Sequence, residues 1–262
     1  MQGAPSRPLF VQKSLPLYEP MLAELEDRFQ LRRVESWGEV FALAPYSPTS
    51  AVFLVDPYDA AGVCLAEDLR TLLAAYPTVT VVTALALCPG RADAVRTLLG
   101  WGVADVLALG VEDTPDGMRI RLLSVHARRL KRRLGAALAP YLTAVGHTLL
   151  LAAVEAAADG GGSVELARVL RSTPRTVASW CRREGVPNPR RLLAWVRLLL
   201  AAELLDEDGR TAAQVARACG YTTDGALRRA LRNFLGRSAT ALRGEGAFTT
   251  AARAFGAELR VG

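Results

Sequence analysis

Along the first half of the chain, short β-branched or apolar runs alternate with longer stretches whose apolar residues recur at helical spacing. The runs Leu9–Lys13, Gln30–Val34, Ala51–Asp56, Thr78–Thr83 and Ala104–Leu109 are predicted strands. Between them, Tyr18–Asp27, Trp37–Leu43, Leu65–Tyr76 and Arg91–Gly100 carry helix patterns, and a last helix is predicted from about Asp116 to Arg133. Strands alternating with helices argue for βαβ units and a parallel sheet covered on both faces, an α/β domain over residues 1–134.

From Gly135 onward the strand signals stop. Pro140–Ala158 reads as one helix within a connecting segment, 135–160, ended by Asp159 and the Gly160–Gly162 run. An all-α domain is expected over 161–246, and residues 247–262 as a tail or short helix, with Phe248–Arg260 amphipathic.

Two helix-turn-helix units are legible in that domain. In the stronger one, Thr211–Gly236, Ala212, Val215, Ala216 and Cys219 share one helical face and Gly220 supplies the positive-φ turn. Thr222 or Thr223 then caps a second helix, whose stripe is Leu227, Ala230, Leu231 and Phe234. Arg228, Arg229 and Arg232 project from its other side, with Asp224 near its exposed first turn. In the weaker unit, Ser163–Gly185, Thr173 is the N-cap and Pro174 the first helical residue. Val177, Trp180 and Cys181 turn inward there, while Arg175, Ala178, Ser179 and Arg182 share the opposite face. Between the units, Asn188 and Pro189 open a long helix running to about Asp206, apolar nearly all round and therefore buried on several sides.

Charge sharpens the picture. The net charge is +6; residues 160–245 hold 15 Arg against 8 Asp plus Glu, hence +7, leaving −1 for the remainder. A basic C-terminal half suggests a polyanionic partner. The apolar runs are too interrupted for a membrane span and Met1–Pro8 lacks a signal-peptide core, so a cytoplasmic protein with no membrane partner is expected. Cys64, Cys88, Cys181 and Cys219 show no paired spacing and are expected to be buried reduced thiols. With only His126 and His147 besides, no metal, cofactor or catalytic site is expected, and an enzyme is the least favoured class.

The stretch from Thr173 to Arg243 resembles the AraC/XylS-type DNA-binding domain of bacterial transcription regulators. The resemblance is carried by Thr173-Pro174-Arg175-Thr176-Val177, by Leu193 to Leu199, by Ala201 to Leu205, by Val215 to Tyr221, and by Phe234 to Ser238 leading to Leu242-Arg243. It implies specific binding of double-stranded DNA through both second helices, with Arg175, Thr176, Ser179, Arg182, Thr222, Thr223, Asp224, Arg228, Arg229 and Arg232 as the expected contacts. Arg182, Arg183, Arg190, Arg232 and Arg243 suit phosphates better than bases. Ser179 is shorter than the family's usual polar side chain, and Ala178 offers no hydrogen bond, so the first helix is expected to read few bases.

The N-terminal repeats resemble a flavodoxin-like receiver, with Asp56 where the phosphorylated aspartate stands and Thr83 where the switch threonine stands. The acid pair that would hold magnesium is replaced by Gln12-Lys13, and the lysine after the fifth strand by Leu109. A pseudo-receiver is therefore expected, in which Asp56 caps its strand end. Three readings follow: a phosphorylation-independent regulator of transcription; a phospho-regulated response regulator using Asp56; and a protein-interaction adaptor that does not read DNA. A homodimer through the N-terminal domain, RNA polymerase, and an unidentified signal molecule or protein are the further partners considered.

Overall fold

The structure is a computed structural model of the 262-residue chain and describes residues 7–15, 17, 22–26, 28–86, 92–112, 114–125 and 128–261. The chain divides into two compact units, Met1–Arg128 and Arg129–Gly262, against the 134/135 boundary expected from sequence.

The first unit is a five-stranded parallel sheet of order β2-β1-β3-β4-β5, built from β1 (Arg7–Gln12), β2 (Phe29–Val34), β3 (Val52–Val55), β4 (Thr80–Ala86) and β5 (Asp105–Leu109). Helices α1 (Trp37–Leu43), α2 (Glu67–Ala75), α3 (Ala92–Trp101) and α4 (Pro115–Ser124) connect or follow the strands. Part of the helix expected at Tyr18–Asp27 lies outside the described residues, although its Leu22 and Leu25 belong to the core. Alternate strand residues serve opposite faces. Leu9, Val11, Leu54 and Val82 pack with Met118 and Leu122 of α4, whereas Phe10, Phe53, Val55 and Val81 pack with Val40, Leu69, Leu72 and Leu98 of α1 to α3. Both faces being covered explains why β3 is apolar at every position. This strand order is that of flavodoxin-like doubly wound sheets, whose ligand crevice lies beyond the carboxyl ends of the strands.

The predicted helix Asp116–Arg133 is in fact two, α4 and α5 (Arg128–Leu138). Met118, Leu122 and Val125 supply apolar contacts to the first unit, whereas Leu130, Leu134 and Leu138 are the buried positions of α5. Continuing the first register would call for position 129 and not 130, so one uninterrupted helix could not present both sets to their cores. The basic surface of this region is largely spent within the molecule. Arg121 bonds to Glu112, Arg128 donates to the Ala104 carbonyl, and Arg129 and Arg133 both reach Glu203.

In the second unit, α6 (Ala144–Ala158), α7 (Ser163–Val169), α8 (Pro174–Arg183), α10 (Ala212–Ala218), α11 (Asp224–Leu235), α12 (Ala239–Glu245) and α13 (Ala247–Val261) surround α9 (Pro189–Leu205). The α9 side chains are buried from Leu198 to Leu205, as a helix apolar nearly all round requires. Residues 247–262, expected as a tail or short helix, supply the core helix α13, with Phe248, Ala251 and Phe255 buried. Its first N–H groups, from Ala247 and Phe248, are accepted by the carboxylate of Asp206 at the end of α9, at 2.6 and 3.2 Å. Trp195 of α9 stands edge-on to Phe234 and stacks with Phe255, joining α11 and α13 to the core.

Candidate nucleic-acid interface

Each helix-turn-helix unit is set by local capping. In the second, Thr211 and Gln214 form a capping box at the start of α10, each accepting from the other's backbone N–H. The chain leaves α10 through Gly220, at φ 71°, with Tyr221 N–H bonded to the Ala216 carbonyl at 2.9 Å. Thr223, of the two candidates, caps α11 by accepting from Ala226 N–H. In the first unit Thr173 caps α8 by accepting from Thr176 N–H. The turn before it has the same form, Ser172 N–H bonding to the Ala167 carbonyl at 2.9 Å. There the left-handed position is held by Arg171, at φ 49°, among the described residues the sole non-glycine with positive φ. Arginine does not advertise a left-handed turn as glycine does, so this position is not marked in the sequence.

The exposed faces of α8 and α11 differ in how far their side chains are already committed. On α11, Arg229 and Arg232 are exposed and make no ion pair or side-chain hydrogen bond among the described residues. Arg228 instead holds Asp224 one turn earlier, at 2.7 Å. Thr222 is exposed beside the Thr223 cap. On α8, Arg175, Ser179 and Arg182 are exposed, while the Thr176 hydroxyl lies 2.8 Å from that of Thr173. Arg190 is exposed at the start of α9. Two arginines considered for phosphates are otherwise engaged. Arg183 pairs with Glu184 at 3.0 Å, and Arg243 donates to the Arg210 carbonyl, tying α12 to the turn after α9. Behind the second unit Glu207 and Arg210 form a fully buried pair at 2.6 Å, and Tyr221 is packed deeply enough for burial to raise its phenol pKa.

At the strand ends of the first unit, Asp56 is half-buried and its Oδ1 accepts from Tyr58 N–H at 3.0 Å. The Gln12 amide oxygen accepts from Asp56 N–H, also at 3.0 Å. Lys13 pairs with Glu35 of the neighbouring strand end. Thr83 lies in β4 in register with Val55, fully buried, its hydroxyl without a hydrogen-bond partner. Among the described residues no group of three or more His, Cys, Asp or Glu could hold a metal ion. Cys64 is exposed, correcting the expectation that all the thiols are buried; Cys88 and His126 lie outside the described residues. Burial raises the thiol of Cys181 to about 11 and that of Cys219 to about 12, which disfavours the thiolate at both. Among the described residues no helix is long and apolar enough to cross a membrane.

Residues 166–245 match the family model described as a helix-turn-helix domain. Comparison with curated protein sequences gives no match. Among solved structures the chain is similar to full-length FixJ from B. japonicum, at 15% identity over 71% of this chain and 94% of that one, with a TM-score of 0.33. It is also similar to the response regulator StyR, at 15% identity over 72% of this chain and 97% of that one, with a TM-score of 0.29. Both scores are below 0.5, and the flavodoxin-like fold of the first unit rests on its own strand order and layering.

Proposed function

We propose that this chain, in which residues 166–245 form an AraC-type helix-turn-helix domain following a receiver-like unit, is a sequence-specific regulator of transcription that works without phosphorylation. A helix-turn-helix domain implies a DNA partner. The observation that carries the finer reading is the pair of similarly built turns, each followed by a capped helix with exposed, uncommitted arginines: Arg175 and Arg182 on α8, Arg229 and Arg232 on α11. In this reading α11 is the main reader of base edges, through Arg229, while Arg232 neutralises phosphate. Arg228 joins only by leaving Asp224, a small cost because exposed helical pairs contribute about 0.3–0.5 kcal/mol. The α8 helix positions the domain on the backbone: Ser179 is short and Thr176 is tied to Thr173.

Independence from phosphorylation is supported by the commitment of Asp56 to the Tyr58 N–H and by Gln12-Lys13 in place of magnesium-binding acids. A homodimer through the receiver-like unit, with RNA polymerase as a further partner, belongs to the same reading, and sedimentation equilibrium of the full chain checks the dimer. The decisive experiment is selection of the full chain on a pool of random duplexes at moderate salt. Enrichment of two half-elements about one helical turn apart is expected. A chain that retains no duplex even at low salt, where the electrostatic attraction is strongest, would instead be a protein-interaction adaptor. Labelling of Asp56 by acetyl phosphate with magnesium would restore phosphoryl control.

A further inference from the structure

A cleft of about 520 Å³ in the second unit is lined by Ala178 and Arg182 of α8, Val186 and Pro187 of the following turn, Arg191 of α9 and Glu258 of α13. Its volume is within the range of small-molecule sites, about 300–1,000 Å³. Its lining divides into two kinds of surface. Val186, which is buried, together with Pro187 and Ala178, offers an apolar wall. The lining also holds two guanidinium groups and one carboxylate, and the commitments of the two arginines differ. Arg191 holds Glu258 with two bonds, Nε to Oε1 at 2.5 Å and Nη2 to Oε2 at 2.7 Å. Arg182 makes no ion pair or side-chain hydrogen bond among the described residues, so the cleft carries one uncompensated positive charge.

We propose that this cleft binds a small amphipathic monocarboxylate, its carboxylate held by Arg182 and its flat apolar body laid against Val186, Pro187 and Ala178. An arginine fork matches a carboxylate in geometry as well as in charge. Glu258 sets the second condition: a further negative charge on the ligand would meet a carboxylate whose own cation is already engaged, so a single acid group is selected over two. The proposal needs no assumption about DNA. One consequence does rest on the function proposed above. Arg182 is also an expected phosphate contact, so ligand and duplex compete for it, and the cleft serves as an effector site on the first helix-turn-helix unit.

The structure contains a reporter beside the cleft, since Trp195 Nε1–H donates to the same Glu258 Oε2 at 2.8 Å. The experiment is a titration of the ¹⁵N-labelled full chain with 2-naphthoate, following the Trp195 indole resonance, and with 2-naphthamide as the uncharged control. Saturable displacement of that resonance by 2-naphthoate, with half-saturation below about 1 mM, is expected. Arg182→Ala, at an exposed position, should weaken binding by about tenfold or more while leaving the rest of the spectrum in place. No saturable shift, an equal response to the amide, or an unchanged affinity in Arg182→Ala each overturns the proposal. Addition of a selected duplex at low salt should then release the naphthoate. A duplex that binds without releasing it removes the effector role and leaves the site. Absence of any duplex binding removes the DNA reading alone.

Discussion

Glu203 is the carboxylate on which Arg129 and Arg133 of α5 converge, each at 3.1 Å, and removing the two sides of this cluster should have unequal effects. The side chain of Glu203 is 5% exposed, whereas those of Arg129 and Arg133 are 47% and 32% exposed. Replacing the acid by methionine of similar volume leaves two cations that can turn to water, so Glu203→Met should change stability by no more than about 1 kcal/mol in either direction. Replacing both arginines by alanine strands a buried carboxylate, a loss of about 3–5 kcal/mol. Arg133 also lies 3.8 Å over the Phe248 ring, so part of that loss is stacking. The triple variant Arg129→Ala, Arg133→Ala, Glu203→Met separates the two, because only the electrostatic part is restored.

The pH dependence provides an internal check. Burial already holds the Glu203 carboxyl above its ordinary value near 4.5, with Arg133 and then Arg129 opposing it. Without the arginines the folded-state value rises further. A carboxyl raised in the folded state contributes stability that is full below its unfolded value and is lost as the pH climbs through the folded one. The double variant should therefore lie closest to wild type below about pH 4.5 and farthest from it at neutral pH. Urea unfolding followed by the Trp195 indole signal, which belongs to the same unit, measures each difference. Equal damage from Glu203→Met and from the double variant, or a deficit that ignores pH, would refute the reasoning.

Other expectations are equally direct. Arg171→Gly should stabilise the second unit by about 0.5–1 kcal/mol in urea melts, since a left-handed conformation costs an L-residue about 1–2 kcal/mol and glycine returns part of that as chain entropy. Arg171→Val should do the reverse. Arg229→Ala should weaken binding of the selected duplex by about 1–3 kcal/mol and relax preference at one base pair, whereas Arg232→Ala should weaken all duplexes alike and reduce the salt slope by about 1, both read by fluorescence anisotropy. The Arg191 guanidinium, helped by Trp195, holds the Glu258 carboxyl below its ordinary 4.5, so this pair contributes stability above that pH and loses it as the pH falls through the lower folded value. Glu258→Gln should flatten that acid limb in thermal melts. Asp206→Ala removes the cap of α13 and should lower stability by about 0.5–2 kcal/mol by chemical denaturation.

Capping chemistry and period were readable along the chain because they act within a few residues. Thr173-Pro174 and Asn188-Pro189 open α8 and α9 as their side-chain acceptors and fixed proline φ dictate, and Gly220 turns where glycine alone is unstrained. Continuous apolar strands and an all-round apolar α9 likewise declare their burial before any fold is drawn. The candidate contacts on α11 could be enumerated at 100° per residue, but not the pairing of Asp224 with Arg228 that commits each side chain to the other.

Tertiary contacts decided the remainder. Glu203 reads as an ordinary polar position until α5 brings two arginines across some seventy residues of chain, as the separations of 74 and 70 record. Arg191 and Glu258, 67 residues apart, are brought together only because α13 packs against α9 and is capped by Asp206. The break between α4 and α5 reflects two cores demanding different helical registers. A charge finds its partner, and a cleft its walls, only when segments distant in sequence are packed together, and no local propensity encodes that meeting.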